Sequence, residues 1–178
     1  MDAIVKPFEQ LLAPLFKSLP SLPENGKKAL VKYWPILALI FGVLQALAVL
    51  ALWQLGHAVN AYLSVAIAYG SVAPTLGFFY YLGMAVLVVD AIILLMAYAP
   101  LKVHSKKGWD LLFFGSLLNL LYGILIVFDG AYGGLDKLLG SLLGSAIAFY
   151  LLFQVRDYYT GKAKTAKPAG TSPAERKS

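Results

Sequence analysis

Asp90 stands inside a purely apolar stretch, Val88, Val89, Asp90, Ala91, Ile92 and Ile93. If that stretch is a helix crossing a bilayer, Asp90 lies about ten residues from its nearer end, or about 15 Å deep. An ionisable group at that depth costs about 2.5–3.5 kcal/mol on insertion scales, so it needs partners. The same depth count along three other apolar stretches finds one polar side chain at nearly the same level in each: Gln45, Asn119 and Ser145. Tyr122 follows Asn119 by one helical turn. Antiparallel neighbours would gather these groups into one polar layer. No Lys or Arg shares that depth, so a protonated Asp90 donating to Gln45 or Asn119 is the expected resting form. Two kinds of chemistry fit. A carboxyl with amide neighbours can bind, release or relay a proton or a monovalent cation. Alternatively, the layer is an interhelical hydrogen-bond cluster that fixes helix register, worth about 0.6–2 kcal/mol per contact.

Other reactive constellations are missing from the sequence. There is no Cys, and hence no thiol nucleophile, disulfide, haem-attachment pair or iron–sulfur site. The two histidines, His57 and His104, are expected on opposite sides of a membrane, which excludes a shared metal site. No glycine loop able to cradle a phosphate is present, and Ser105 beside His104 sits among lysines without a general base. Asp129 and Asp136 bracket a glycine-rich turn, where they would chelate a cation weakly or simply be solvated. His57 is either a pH sensor on the outer surface or a solvated loop histidine. The expectation is a protein that is not an enzyme, with no catalytic residue, metal or cofactor.

The elements that must position Asp90 follow from composition. Of the 178 residues 60% are apolar and only 13% charged, and mean hydropathy is +0.72. A water-soluble domain cannot bury that much hydrocarbon. Four stretches approach the roughly 20 apolar residues that one helical crossing needs, at about 33–55, 76–99, 109–128 and 135–155. The expected fold is all-α, an antiparallel bundle of four transmembrane helices spanning residues 27–159. Trp34 and Trp53 bracket the first crossing as headgroup-level anchors, and Trp109 opens the third. Pro100 is expected to stop the second. Residues 56–75 carry His57, Asn60, Ser64 and Ser71 as a thin polar stripe and end near Pro74, which suggests a short outer-face helix or a re-entrant segment.

Residues 1–26 precede this domain. Ile4, Val5, Phe8, Leu11, Leu12, Leu15, Phe16 and Leu19 recur at helical spacing, with Asp2, Lys6, Glu9, Gln10 and Lys17 opposite them. This is an amphipathic helix suited to the membrane interface or to a partner protein, with Pro14 expected to kink or end it. A linker with Pro20, Pro23, Asn25 and Gly26 follows. The start lacks the basic region of a cleavable signal peptide and is expected to be retained. Residues 160–178 read as a disordered basic tail.

Charge sidedness orients the chain. Lys6, Lys17, Lys27, Lys28, Lys32, Lys102, Lys106, Lys107, Arg156, Lys162, Lys164, Lys167, Arg176 and Lys177 all fall on one side of a four-span topology, leaving Lys137 on the other. The positive-inside rule then makes both termini cytoplasmic. The net charge of +6 flanks apolar segments, which favours anionic lipid over nucleic acid as partner. Lys27, Lys28, Lys32, Lys102, Lys106, Lys107 and Arg156 are the residues expected at lipid headgroups.

Small residues describe packing. Gly140, Gly144 and Ala148 recur every fourth position, as do Gly115, Asn119 and Gly123, and Ala38, Gly42 and Ala46. Such faces let backbones approach closely within a bundle, or across a seam to a second copy or a membrane-protein partner. Lys27, Lys28 and Trp34 before one helix pair, and Lys106, Lys107 and Trp109 before the other, fit a weak two-fold repeat, or only the flanks common to membrane helices. The segments Lys106, Lys107, Gly108, Trp109, Asp110, Leu111, Leu112, Phe113 and Tyr150, Leu151, Leu152, Phe153, Gln154, Val155, Arg156, Asp157, Tyr158, Tyr159 resemble small uncharacterised four-span bacterial membrane proteins. The likeness covers roughly residues 27–159 and implies a bacterial inner membrane without implying an activity.

Overall fold

The computed structural model describes residues 2–70, 76–129 and 134–161, in which every regular element is a helix. In chain order these are α1 (Asp2–Lys17), α2 (Glu24–Ala68), α3 (Phe78–Lys102), α4 (Lys106–Leu125), a single 3-10 turn at Ile126–Phe128, and α5 (Leu135–Tyr159). Helices α2, α3, α5 and α4 with its 3-10 turn are each long and apolar enough to cross a membrane. Ser71, Pro74, Gly130, Gly133 and the tail from Lys162 onward lie outside the described residues.

Several helix ends differ from expectation. Residues 56–68 are neither a separate helix nor a re-entrant loop, because α2 continues through them to Ala68. No proline interrupts this stretch, and Gly56 leaves room for a side chain of α3. The Tyr80 hydroxyl donates to the Leu52 carbonyl, and a Cβ at position 56 would lie 2.8 Å from that hydroxyl. At 1.5 Å per residue the 45 residues of α2 extend about 67 Å, more than twice the roughly 30 Å of a hydrocarbon core. His57 is therefore a helical residue, edge-on to Trp53 at 4.8 Å, and not a loop histidine. Glu24, Asn25 and Gly26, which read as linker, form the first turn of α2 after Pro23.

Helix α1 passes both Pro7 and Pro14 before ending at Lys17. Helix α3 likewise passes Pro100 and ends at Lys102. Each proline removes one backbone donor and crowds the carbonyl four residues back, but the helix runs on past it and the stop is made further on. His104 adopts a left-handed backbone, φ 52°, while its N–H bonds to the Leu101 carbonyl at 3.0 Å and that of Ser105 to the Pro100 carbonyl at 2.9 Å. This pair of bonds closes a helix end at a position where glycine is the usual residue. Ser105 then caps α4, its hydroxyl accepting from the Lys107 N–H at 3.3 Å.

The long helices pack in chain order, α2 on α3, α3 on α4 and α4 on α5. Early residues of one helix meet later residues of its neighbour, as at Tyr80 with Leu52, Gly83 with Tyr122 and Trp109 with Leu152, so successive helices run in opposite directions. Burial concentrates at the lysine-rich end. Trp109, with 0% exposure, is enclosed with Leu101, Phe113, Leu152 and Val155. Its indole N–H donates to the Leu152 carbonyl at 2.8 Å, and its ring stacks on Phe113 at 5.0 Å. Trp109 is thus a core residue, whereas Trp53 is 54% exposed. Gly108 makes this burial feasible, because a Cβ there would stand 2.7 Å from the Leu101 backbone nitrogen. Helix α1 closes the same end, with Val5 fully buried and Phe16 stacked on Phe153 at 5.3 Å.

Candidate functional site

Midway along α2 and α3, the Gln45 amide Nε2–H donates to Asp90 Oδ2 at 2.8 Å. Asp90 is 5% exposed, and its Oδ1 faces Gly115 of α4 so closely that a Cβ at 115 would lie 2.8 Å away. One carboxylate thus bridges three helices, with an amide on one side and bare backbone on the other. The donor is Gln45, the reverse of the direction expected from sequence. The Gln45 carbonyl oxygen is buried without a partner. Asn119 donates to the Gly115 carbonyl one turn back at 3.1 Å, and so reaches Asp90's neighbour and not Asp90 itself. Both Asp90 and Asn119 line a cavity of about 190 Å³, with Trp34, Ile93, Leu112 and Leu152 among its apolar walls.

Gly115→Ala is expected to push the Asp90 carboxylate off Gln45 and lower stability by about 1–3 kcal/mol, the usual cost of overpacking. Thermal unfolding in detergent measures this, and the loss should shrink in an Asp90→Ala background. Equal losses in both backgrounds would mean that the glycine does not act through Asp90.

Ser145 is buried on α5 and lines a second, larger groove of about 470 Å³ between α4 and α5. Asn119, Tyr122 and Ser141 line it too, and Lys137 stands at its far end. Asn119 is therefore common to both spaces, while Ser145 and Tyr122 border the groove without bordering Asp90's cavity. The Tyr122 hydroxyl fits against Gly83, where a Cβ would come within 2.3 Å of it. Asp136 pairs with Lys137 at 3.5 Å.

The five packing glycines divide. Gly42 meets Leu94 and Leu95 of α3, Gly115 meets Asp90, and Gly123 meets Ser141, whose hydroxyl a Cβ would strike at 1.6 Å. Among the described residues nothing lies within 4 Å of a Cβ at Gly140 or Gly144, whereas Ala148, the third member of that row, lines the α4–α5 groove and Asp90's cavity.

At the lysine-rich end the structure also pairs charges whose partners the sequence does not signal. Glu9, on the polar side of α1 by helical spacing, is only 6% exposed and forms an ion pair with Arg156 of α5. The Arg156 guanidinium stands 6.0 Å from the Trp109 ring centroid. Asp110 is buried and accepts from Lys106 Nζ at 2.9 and 3.0 Å. Lys27 pairs with Glu24 at 3.3 Å. Three of the seven cations expected at headgroups, Lys27, Lys106 and Arg156, are therefore engaged within the chain. Lys28, Lys32 and Lys102 instead line one pocket, and Lys107 is exposed.

Among the described residues no group of three His, Cys, Asp or Glu side chains is placed to hold a metal ion. Comparison with protein-family models, curated proteins and solved structures gives no match, so the reading of function rests on this chain's own residues.

Proposed function

We propose that this chain is a non-enzymatic scaffold or interaction protein of a bacterial inner membrane, a four-helix bundle with both termini cytoplasmic and α1 lying in the membrane interface. The observation that carries this reading is the Asp90 carboxylate held between the Gln45 amide and the Gly115 backbone, a contact that ties three helices together. Its role is to fix the register of α2, α3 and α4. The outward face of α1 supports the interfacial placement. Val5, Glu9, Leu12 and Phe16 turn toward α4 and α5, whereas Ile4, Phe8, Leu11 and Leu15 stay exposed, Leu11 at 68%. Lys6 and Gln10 occupy a third sector, so protein, hydrocarbon and water each receive one side of the helix.

A second reading, a small channel or transporter component, is favoured by one specific feature. Lys137, Ser141, Tyr122 and Asn119 give the α4–α5 groove a polar wall that leads to the rim of Asp90's cavity. On that reading Asp90 is a proton or monovalent-cation site reached from the outer side.

Proteoliposome flux with a pH-sensitive dye separates the two. The scaffold reading expects proton flux no greater than in empty vesicles, and an Asp90→Asn variant of unchanged melting temperature. A wild-type flux abolished by Asp90→Asn would replace it with the transport reading. Orientation has its own test, because the chain contains no Cys and each introduced one reports alone. Lys137→Cys should react with a membrane-impermeant maleimide added outside cells, and Lys28→Cys should not. The opposite pattern would invert the topology.

A further inference from the structure

Lys28 and Lys32 of α2, Lys102 of α3, His104 of the α3–α4 turn and Tyr158 of α5 surround a pocket of about 380 Å³, with Val31 and Pro35 completing its wall. Three elements therefore converge on it, and none of its lining residues is acidic. Lys28 and Lys32 share a helix face four residues apart, where like charges repel, and Lys102 adds a third positive charge from another helix. Neighbouring cations are neutralised inside the chain: Lys27 by Glu24, Lys106 by Asp110 and Arg156 by Glu9. Glu24, the acid closest to the pocket by its contacts, is held by the Tyr158 hydroxyl at 2.8 Å and by Lys27. Lys28 feels Glu24 only at a distance and Lys32 lies over the Tyr33 ring at 5.3 Å, so among the described residues no direct ion pair engages Lys28, Lys32 or Lys102. His104 occupies a left-handed helix stop that glycine usually fills, and it places an imidazole at the pocket.

We propose that this pocket binds the phosphate-bearing headgroup of one anionic phospholipid, with Lys28, Lys32 and Lys102 as cationic contacts and His104 as a further donor. The volume exceeds what a bare phosphate ion fills. Buried Val31 and Pro35 give the pocket an apolar wall, and the same face of α2 continues into exposed Leu39, along which an acyl chain would run. Basic pockets between helices on the cytoplasmic side are the expected geometry for such headgroups. The proposal rests on the membrane reading above and adds a discrete site to a basic rim.

Native mass spectrometry of the full chain released from a neutral detergent tests it, with phosphatidylglycerol, phosphatidylcholine and inorganic phosphate as probes. The expected result is one retained phosphatidylglycerol per chain, preferred over phosphatidylcholine by about tenfold or more. The triple variant Lys28→Gln/Lys32→Gln/Lys102→Gln should abolish the preference, and the corresponding triple Arg variant should keep it. A control of equal charge change, Lys6→Gln/Lys107→Gln/Lys137→Gln, should also keep it. His104→Gly, which preserves the turn, should weaken retention severalfold. Equal loss in the pocket and control triples would overturn the site while leaving diffuse attraction of anionic lipid to a basic chain intact. No preference in the wild type would overturn both the site and the rim's lipid role. Displacement of the lipid by millimolar inorganic phosphate would assign the pocket to the free ion and overturn the lipid proposal.

Discussion

Trp109→Ala is expected to lower the stability of the folded chain by about 3–5 kcal/mol, the range for deleting a large aromatic side chain from a packed interior. Against a typical total of about 5–15 kcal/mol this is a severe loss. The ring is fully enclosed, stacks on Phe113 and meets Phe153 edge-on at 5.9 Å, so its removal leaves a cavity between α4 and α5. Trp109→Phe separates packing from hydrogen bonding. It keeps an aromatic ring and loses the N–H to the Leu152 carbonyl, for which about 1 kcal/mol is expected. Trp53→Ala provides the contrast, because an exposed side chain away from the core should change stability by no more than about 0.5 kcal/mol. The three variants are compared by thermal unfolding in one detergent. Similar losses at Trp53 and Trp109 would mean that burial in the core is not what sets Trp109 apart.

The burial of Trp109 is not legible in its flanking residues. Lys106, Lys107 and Trp109 together have the composition of a headgroup-level flank, and residue type alone does not separate an anchor from a core ring. Gly108 decides it by letting α4 reach the Leu101 backbone, a contact that exists only once α3 is in place. The helices themselves are legible because a crossing needs a fixed apolar length, and four stretches supply it. Their ends are less so. Pro100 reads as a stop, yet the stop is the left-handed turn at His104 two residues past the helix.

The Gln45–Asp90 contact follows from depth, since a constant rise puts side chains equally far from the helix ends at one level. Depth carries no information about azimuth, however. Ser145 and Tyr122 share the level or lie one turn away, and they line the α4–α5 groove in place of Asp90's cavity. Glu9 is the same problem on α1. A helical wheel sorts side chains into sectors but does not say which sector meets protein, and here the acid shares a sector with Val5, Leu12 and Phe16.

That shared sector makes Arg156→Ala the variant with the most distinctive expected outcome. Removing the guanidinium leaves the Glu9 carboxylate at 6% exposure without its ion-pair partner, in the same buried sector of α1 as Val5 and Phe16. Breaking one partner out of a buried pair costs about 3–5 kcal/mol when the remaining charge is trapped, and Arg156's own partial exposure moderates that figure. The charge at position 9 is not trapped, however. Helix α1 touches the rest of the chain mainly along α4 and α5, so it can leave as a unit and return Glu9 to water. The expected result is therefore local release of α1 with the Trp109 core preserved. In a Leu12→Cys background, maleimide labelling should accelerate at least about tenfold when Arg156 becomes Ala, while the main thermal transition moves little. Adding Glu9→Gln removes the stranded charge and should bring labelling back most of the way toward the parent rate. Arg156→Lys should recover only part of the docking, because an ammonium lacks the planar fork that spans Glu9 and lies over Trp109. If labelling stays slow in Arg156→Ala, the apolar contacts of Val5 and Phe16 alone hold α1, and the ion pair is incidental to its docking. If the whole protein unfolds instead, α1 belongs to the cooperative core and is not a separately mounted interfacial helix.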